Sequence, residues 1–140
     1  MRVLLLLVLC LPALAGSSMT IRNSSNSTVG RVESNGTIRN SSNSTLGRIE
    51  SDGTVRNSSN SKLGRVQSDG TIRNSSNSTI GKIESDGTMR NASNSTVGRF
   101  DGCTVRNSSN SARGKFEGCT SADYQTMAAV VFFFMPLHNQ

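Results

Sequence analysis

The sequence has no tryptophan, one tyrosine and one histidine, and each scarcity removes a class of function. With so few aromatic rings there is no platform on which exposed bases would stack. Basic and acidic residues also alternate instead of gathering in a block, so nothing in the composition points to nucleic acid. His138 lies close to the C-terminus, where an exposed tail residue is expected, and it leaves acid-base chemistry without a partner. No spacing of Cys, His, Asp or Glu fits a zinc, calcium or phosphate loop, so no metal or cofactor is expected and the chain reads as a non-enzyme. Long apolar runs are missing as well. The nine to eleven apolar residues near the end fall short of the roughly 20 that a helix needs to cross a bilayer.

What is present begins with a leader. Arg2, an apolar run from Val3 to Leu11 and the small residues of Ala13-Leu14-Ala15 read as an export signal over residues 1–15. Cys10 leaves with that signal; Leu7-Val8-Leu9 lacks the small residue that precedes a lipidated cysteine. The remaining chain carries 14 basic and 9 acidic side chains, a balance of +5. Its expected location is the periplasm, the cell surface or the extracellular space.

Self-similarity sets the fold. The stretch from Thr20 to Gly36 returns at Thr37, Thr54, Thr71 and Thr88 with a period of 17, and at Thr104 after 16, which makes six units. Each unit holds two turn signals between short β-type runs, the pattern of hairpins. In the second unit Asn43 suits the left-handed position of the turn Ser41-Ser42-Asn43, and Gly53 does the same for Ser51-Asp52-Gly53. Counting outward from the turns pairs Ile38 with Leu46 and Ile49 with Val55. Leu46 and Ile49 share a face only if a bulge intervenes, so Gly30, Gly47, Gly64, Gly81, Gly98 and Gly114 are read as bulge residues. Arg113 stands where the other units have an aliphatic residue, which predicts either a frayed last hairpin or an arginine reaching for a rim.

The expected fold is mainly β: six tandem antiparallel hairpins forming a barrel around a buried, apolar C-terminal helix. Residues 16–120 form the hairpin domain, 121–136 the helix and 137–140 a tail. Met127 to Met135 is apolar all round, Thr120 or Ser121 can cap it, and Pro136 marks its end. About fifteen helical residues span roughly 22 Å, which matches the strands. A buried strand and a membrane-inserted segment remain rival readings of the same residues. A parallel β-solenoid with an adhesive or ice-binding face is a rival for the repeats, although inward spacings of 8, 3 and 6 fit hairpins better.

The repeat Asp86-Gly87-Thr88-Met89-Arg90-Asn91-Ala92-Ser93-Asn94-Ser95-Thr96-Val97-Gly98 with its sister copies, followed by Ala128 to Phe134, resembles the 4-fold beta flower proteins. The resemblance implies hairpins set like petals around a hydrophobic C-terminal helix, a layout similar to tubby-like domains, and it implies no activity. Six units instead of four depart from that symmetry.

Three features remain as candidate sites. Cys103 and Cys119 replace the turn glycine of their units; they are either a disulfide or two buried thiols, since equivalent positions in successive hairpins lie roughly 9–10 Å apart and a bridge needs Cα atoms within about 7 Å. Arg22, Arg39, Arg56, Arg73, Arg90 and Arg106 flank six near-identical Asn/Ser loops, a rim suited to a glycan or anionic polymer. Phe132-Phe133-Phe134 supports a lipid- or membrane-associated module instead. Eleven Asn-x-Ser/Thr triplets are explained by the duplicated turn chemistry, with glycosylation as the other reading.

Overall fold

The computed structural model describes residues 18–140, so the leader expected over residues 1–15 lies outside the described residues. Twelve strands follow one another in six hairpins: β1 (Met19–Asn23) with β2 (Thr28–Val32), β3 (Thr37–Asn40) with β4 (Thr45–Ile49), and β5 (Thr54–Asn57) with β6 (Lys62–Val66). Then come β7 (Thr71–Asn74) with β8 (Thr79–Ile83), β9 (Thr88–Asn91) with β10 (Thr96–Asp101), and β11 (Thr104–Asn107) with β12 (Ala112–Glu117). Each strand pairs antiparallel with its neighbours in sequence, and β12 returns to β1, closing a barrel. The solenoid reading is thereby excluded, because its coils stack strands in parallel and every pairing here is antiparallel.

Both turns take the geometry their residues favour. Asn26, Asn43, Asn60, Asn77, Asn94 and Asn110 all have φ between 64° and 68°. The preceding Asn completes each turn: the Asn40 Oδ1 accepts the N–H groups of Ser42 and Ser44, both at 3.0 Å. At the opposite end Gly53 has φ 89° and its N–H donates to the Glu50 carbonyl at 2.9 Å.

Alternation then sends one face inward. Ile21, Ile38, Val55, Ile72, Met89 and Val105 are completely buried. Ile49 faces Val55, but Ile38 faces Gly47 and not Leu46, and Arg39 faces Thr45. Leu46 is thus the extra residue of the bulge, with Val29, Leu63, Ile80, Val97 and Arg113 in the same place. The last hairpin is not frayed: Val105 pairs with Gly114, and β12 is held on its other side by β1. Arg113 is half-buried, and its Nε is enclosed without a hydrogen-bond partner.

The lumen is filled by α1 (Tyr124–Phe133). Met127, Ala128, Ala129, Val130 and Val131 are five consecutive residues no more than 1% exposed. A surface helix buries one stripe; at 100° per residue, five in a row point in every direction, so this helix is surrounded. Neither a strand nor a membrane span is formed by these residues, and among the described residues no helix is long and apolar enough to cross a membrane.

The helix is shorter than the fifteen residues expected. Thr120 donates its N–H to the Asp123 carboxylate at 2.8 Å and opens a 3-10 turn, Ser121–Asp123, before α1. At the other end the N–H groups of Phe134 and Met135 converge on the Val130 carbonyl, and Leu137–Asn139 forms a second 3-10 turn. The tail is not loose, because Leu137 is 1% exposed.

Four consecutive side chains across the end of the helix meet four different hairpins. A Cβ placed on Gly81 would lie 2.5 Å from the Phe132 ring, on Gly64 2.6 Å from Phe133, on Gly47 2.7 Å from Phe134, and on Gly30 2.6 Å from the Met135 methyl. None of these glycines has positive φ. They are required by close approach, where sequence reading had assigned them to the bend of the bulge. Gly98 meets the His138 Cβ at 3.2 Å, whereas Gly114 meets only backbone.

Cys103 and Cys119 are joined, with their Cα atoms 5.7 Å apart. The two-strand separation assumed from the repeat does not apply. Phe116 donates its N–H to the Cys103 carbonyl at 2.8 Å, which puts Cys103 beside the end of the adjacent strand, and Cys119 leaves the sheet through Gly118 with no further strand to continue into. The bridge pins the last hairpin to the segment entering the helix. For a closed loop of 16 residues, restriction of the unfolded chain amounts to about 3 kcal/mol. The Cys103→Ser/Cys119→Ser variant is therefore expected to unfold at markedly lower urea, with an unchanged far-ultraviolet spectrum beforehand; an unchanged midpoint would show that the bridge adds nothing.

Candidate functional site

The two ends of the barrel differ chemically. Where α1 enters, the Ser-Asp-Gly turns stand around it. The carboxyls of Asp52, Asp69 and Asp86 accept the N–H groups of Thr54, Thr71 and Thr88 at 2.9–3.0 Å. These bonds are the main cause holding all three below the usual carboxylate range, so the three carboxyls are ionised at neutral pH. Gln125 reaches from the helix to donate its amide to the Ser68 carbonyl at 3.0 Å.

On one side of that link opens a cleft of about 380 Å³, bounded by Ser68, Asp69, Glu84, Ser85, Tyr124 and Gln125. On the other lies a smaller one of about 160 Å³ bounded by Ser51, Asp52 and Gln125. Tyr124 is held in place by Phe100, their rings 5.6 Å apart. Hydroxyls, an amide, carboxylates and one aromatic side chain thus converge on a concave surface, a set that can bind a hydroxyl-rich molecule by paired donors and acceptors. Sequence reading missed this place. Its turns lie about 40 to 75 residues before the helix and meet it only when the barrel closes; the lone Tyr124 at the helix start was the one available signal.

The six arginines expected at a binding rim lie on the outer wall, where each is already engaged. The Arg39 Nη1 donates to the Asn43 carbonyl at 3.2 Å and to the Thr45 hydroxyl at 2.8 Å, and its Nε meets Glu33 at 2.7 Å. Arg22, Arg56, Arg73, Arg90 and Arg106 likewise donate to the carbonyl of the left-handed Asn of their own turn. Their Nη1 groups lace the turns, while the side chains remain partly exposed on the wall. Glu33 is held below its ordinary range by Arg31 and Arg39, Glu50 by Arg56 and Arg48, and Glu117 by Lys115 and Arg22. These carboxylates decorate the wall, and among the described residues no three of His, Cys, Asp and Glu gather closely enough to hold a metal ion.

At the Asn/Ser end, Phe132, Phe133, Phe134 and Met135 are half-buried and ringed by the half-buried bulge residues Val29, Leu46, Leu63, Ile80 and Val97. His138 also lies here. It is not an exposed tail residue: its ring stacks on Phe132 at 6.1 Å, and burial pushes its pKa below the usual value.

The sequence model of a family described as 5-fold beta-flower protein matches residues 18–136. The count differs from the four-fold relatives that the repeat resembles, and the barrel itself has six hairpins. No curated protein and no solved structure matches the chain.

Proposed function

Because this chain belongs to the 5-fold beta-flower protein family, and its closed ring of hairpins presents turns around the helix, we propose that it is an exported, non-enzymatic module that binds glycans. What supports this is the cleft of about 380 Å³ beside Tyr124 and Gln125, a volume in the range of about 300–1,000 Å³ common among ligand sites. Its lining includes hydroxyl and amide groups with carboxylates as acceptors, which suits sugar hydroxyls. In this reading the neutral-sugar contacts are the Ser-Asp-Gly turns at the end of the barrel where the helix enters. A disulfide between Cys103 and Cys119 accords with an oxidising compartment, as does the leader read over residues 1–15.

The test is a neutral-glycan array followed by nuclear magnetic resonance titration of the best binder. The expected result is perturbation of Tyr124, Gln125 and Ser68, with binding lost in Gln125→Ala. Asp69→Asn separates turn from site, because Asn35 fills the same turn position in the first hairpin and accepts the same bond at 3.0 Å; it should leave folding intact and weaken binding. Failure of every neutral glycan would defeat the reading.

A second reading, a lipid-associated module, draws on the half-buried Phe132, Phe133 and Phe134 at the other end. Liposome flotation of the intact protein supports it; failure to float, with the terminus protected from protease, opposes it.

A further inference from the structure

The outer wall carries a belt of twelve cations whose register is set by the hairpins. Arg31 stands opposite Arg39, Arg48 opposite Arg56, Arg65 opposite Arg73, Lys82 opposite Arg90, Arg99 opposite Arg106, and Arg22 opposite Lys115. Like charges directly opposed on neighbouring strands are destabilising. Five of the six pairs are relieved by a carboxylate two residues beyond the even-numbered strand's cation. Glu33 meets Arg31 at 2.9 Å and Arg39 at 2.7 Å; Glu117 meets Arg22 and Lys115, both at 3.0 Å. Glu50 bridges Arg48 and Arg56, Asp101 bridges Arg99 and Arg106, and Glu84 meets Arg90 at 2.7 Å.

The pair Arg65 and Arg73 is the exception. The equivalent residue is Gln67, which brings no charge, and among the described residues no carboxylate lies within 4 Å of either guanidinium. Asp52 and Asp69 act on Arg65 and Arg73 from farther off, each with its carboxyl committed to a turn N–H. Arg73 keeps its Nη1 bonds to the Asn77 carbonyl and the Thr79 hydroxyl, which fix its stem while no bond occupies its Nε.

We propose that Arg65 and Arg73 form a seat for a carboxylate that the chain itself does not supply, and that the occupant is a uronic-acid residue of an acidic glycan. Four of the five filled seats show what this geometry holds, one carboxylate between two cations on adjacent strands, and in the fifth Glu84 meets Arg90 alone. A sugar acid is favoured over an acidic peptide for two reasons. The barrel is closed, so no strand edge is free for an added strand. The neighbouring outward positions with exposed or half-buried side chains are Lys62, Thr71 and Thr79, which offer ammonium and hydroxyl groups to a sugar and no apolar pocket to an anchoring side chain. The sugar identity rests on the glycan reading above; the anion seat itself does not.

Titration of the whole chain with oligogalacturonate, read at the Arg Nε–H resonances, tests the proposal. Arg65 and Arg73 should shift and the other arginines should not, with binding weakened steeply by salt. The decisive variant is Gln67→Glu, which fills the seat as five sister units do and so keeps the fold. It should weaken binding about ten-fold, in line with loss of a charge-assisted bidentate contact. Unchanged affinity in Gln67→Glu, or no shift at Arg65 and Arg73, overturns the seat even if a neutral glycan still binds beside Tyr124. Equal shifts with polyglutamate and none with oligogalacturonate overturn the glycan assignment.

Discussion

A chain ending at Thr120 will not fold. Removing residues 121–140 strips the lumen of Met127, Val130, Val131, Leu137 and the Phe132 to Met135 run, and it exposes the inward faces of twelve strands to water. Each large apolar side chain taken from water contributes about 1.5–3 kcal/mol. The sum exceeds the net stability of about 5–15 kcal/mol typical of a domain. No other cover exists among the described residues, because the opposite faces of the strands carry the arginine and carboxylate belt. The expected readout is loss of the cooperative urea transition, with binding of a hydrophobic dye at zero denaturant. A truncated chain that keeps a sharp transition would mean that the hairpins are self-sufficient and that the helix merely fills space.

The repeat made much of this legible. Period, turn type and inward residues follow from local chemistry: Asn43 and Gly53 need a left-handed backbone, and the intervals between apolar residues then decide which face is wet. The helical plug was legible through its length, since about fifteen helical residues match the length of the strands. The arginine belt was also within reach, since pairing Ile49 with Val55 forces Arg48 against Arg56 and Glu50 becomes the natural bridge.

What stayed hidden depends on the tail meeting the barrel. No local pattern says that Phe132, Phe133, Phe134 and Met135 take one glycine each, or that the helix gives up its last turn to let them. Leu137 and His138 looked like a free end because nothing in four residues signals a docking surface made by β10, β11 and β12. The cleft beside Tyr124 was hidden for the same reason, being assembled from turns and a helix start that are distant in sequence.

The strongest consequence of that lock concerns Gly64. Adding one methyl there places a Cβ 2.6 Å from the Phe133 ring and against the Arg73 carbonyl. The ring can tilt; the carbonyl belongs to a ladder fixed on both sides. Overpacking of a rigid core costs about 1–3 kcal/mol, and a contact that cannot relax puts Gly64→Ala at the upper end of that range. Gly102→Ala is the control: φ is 58° there and nothing lies within 4 Å of the new carbon, so only the left-handed backbone opposes it, at about 1–2 kcal/mol. Phe133→Ala in the Gly64→Ala background separates the two contacts. If the ring is half of the lock, the double variant loses less than the two single losses added together, by about 1 kcal/mol or more. If the losses simply add, Gly64 is there for the strand ladder alone, and the apolar run of the tail has no part in selecting glycine at the bulge.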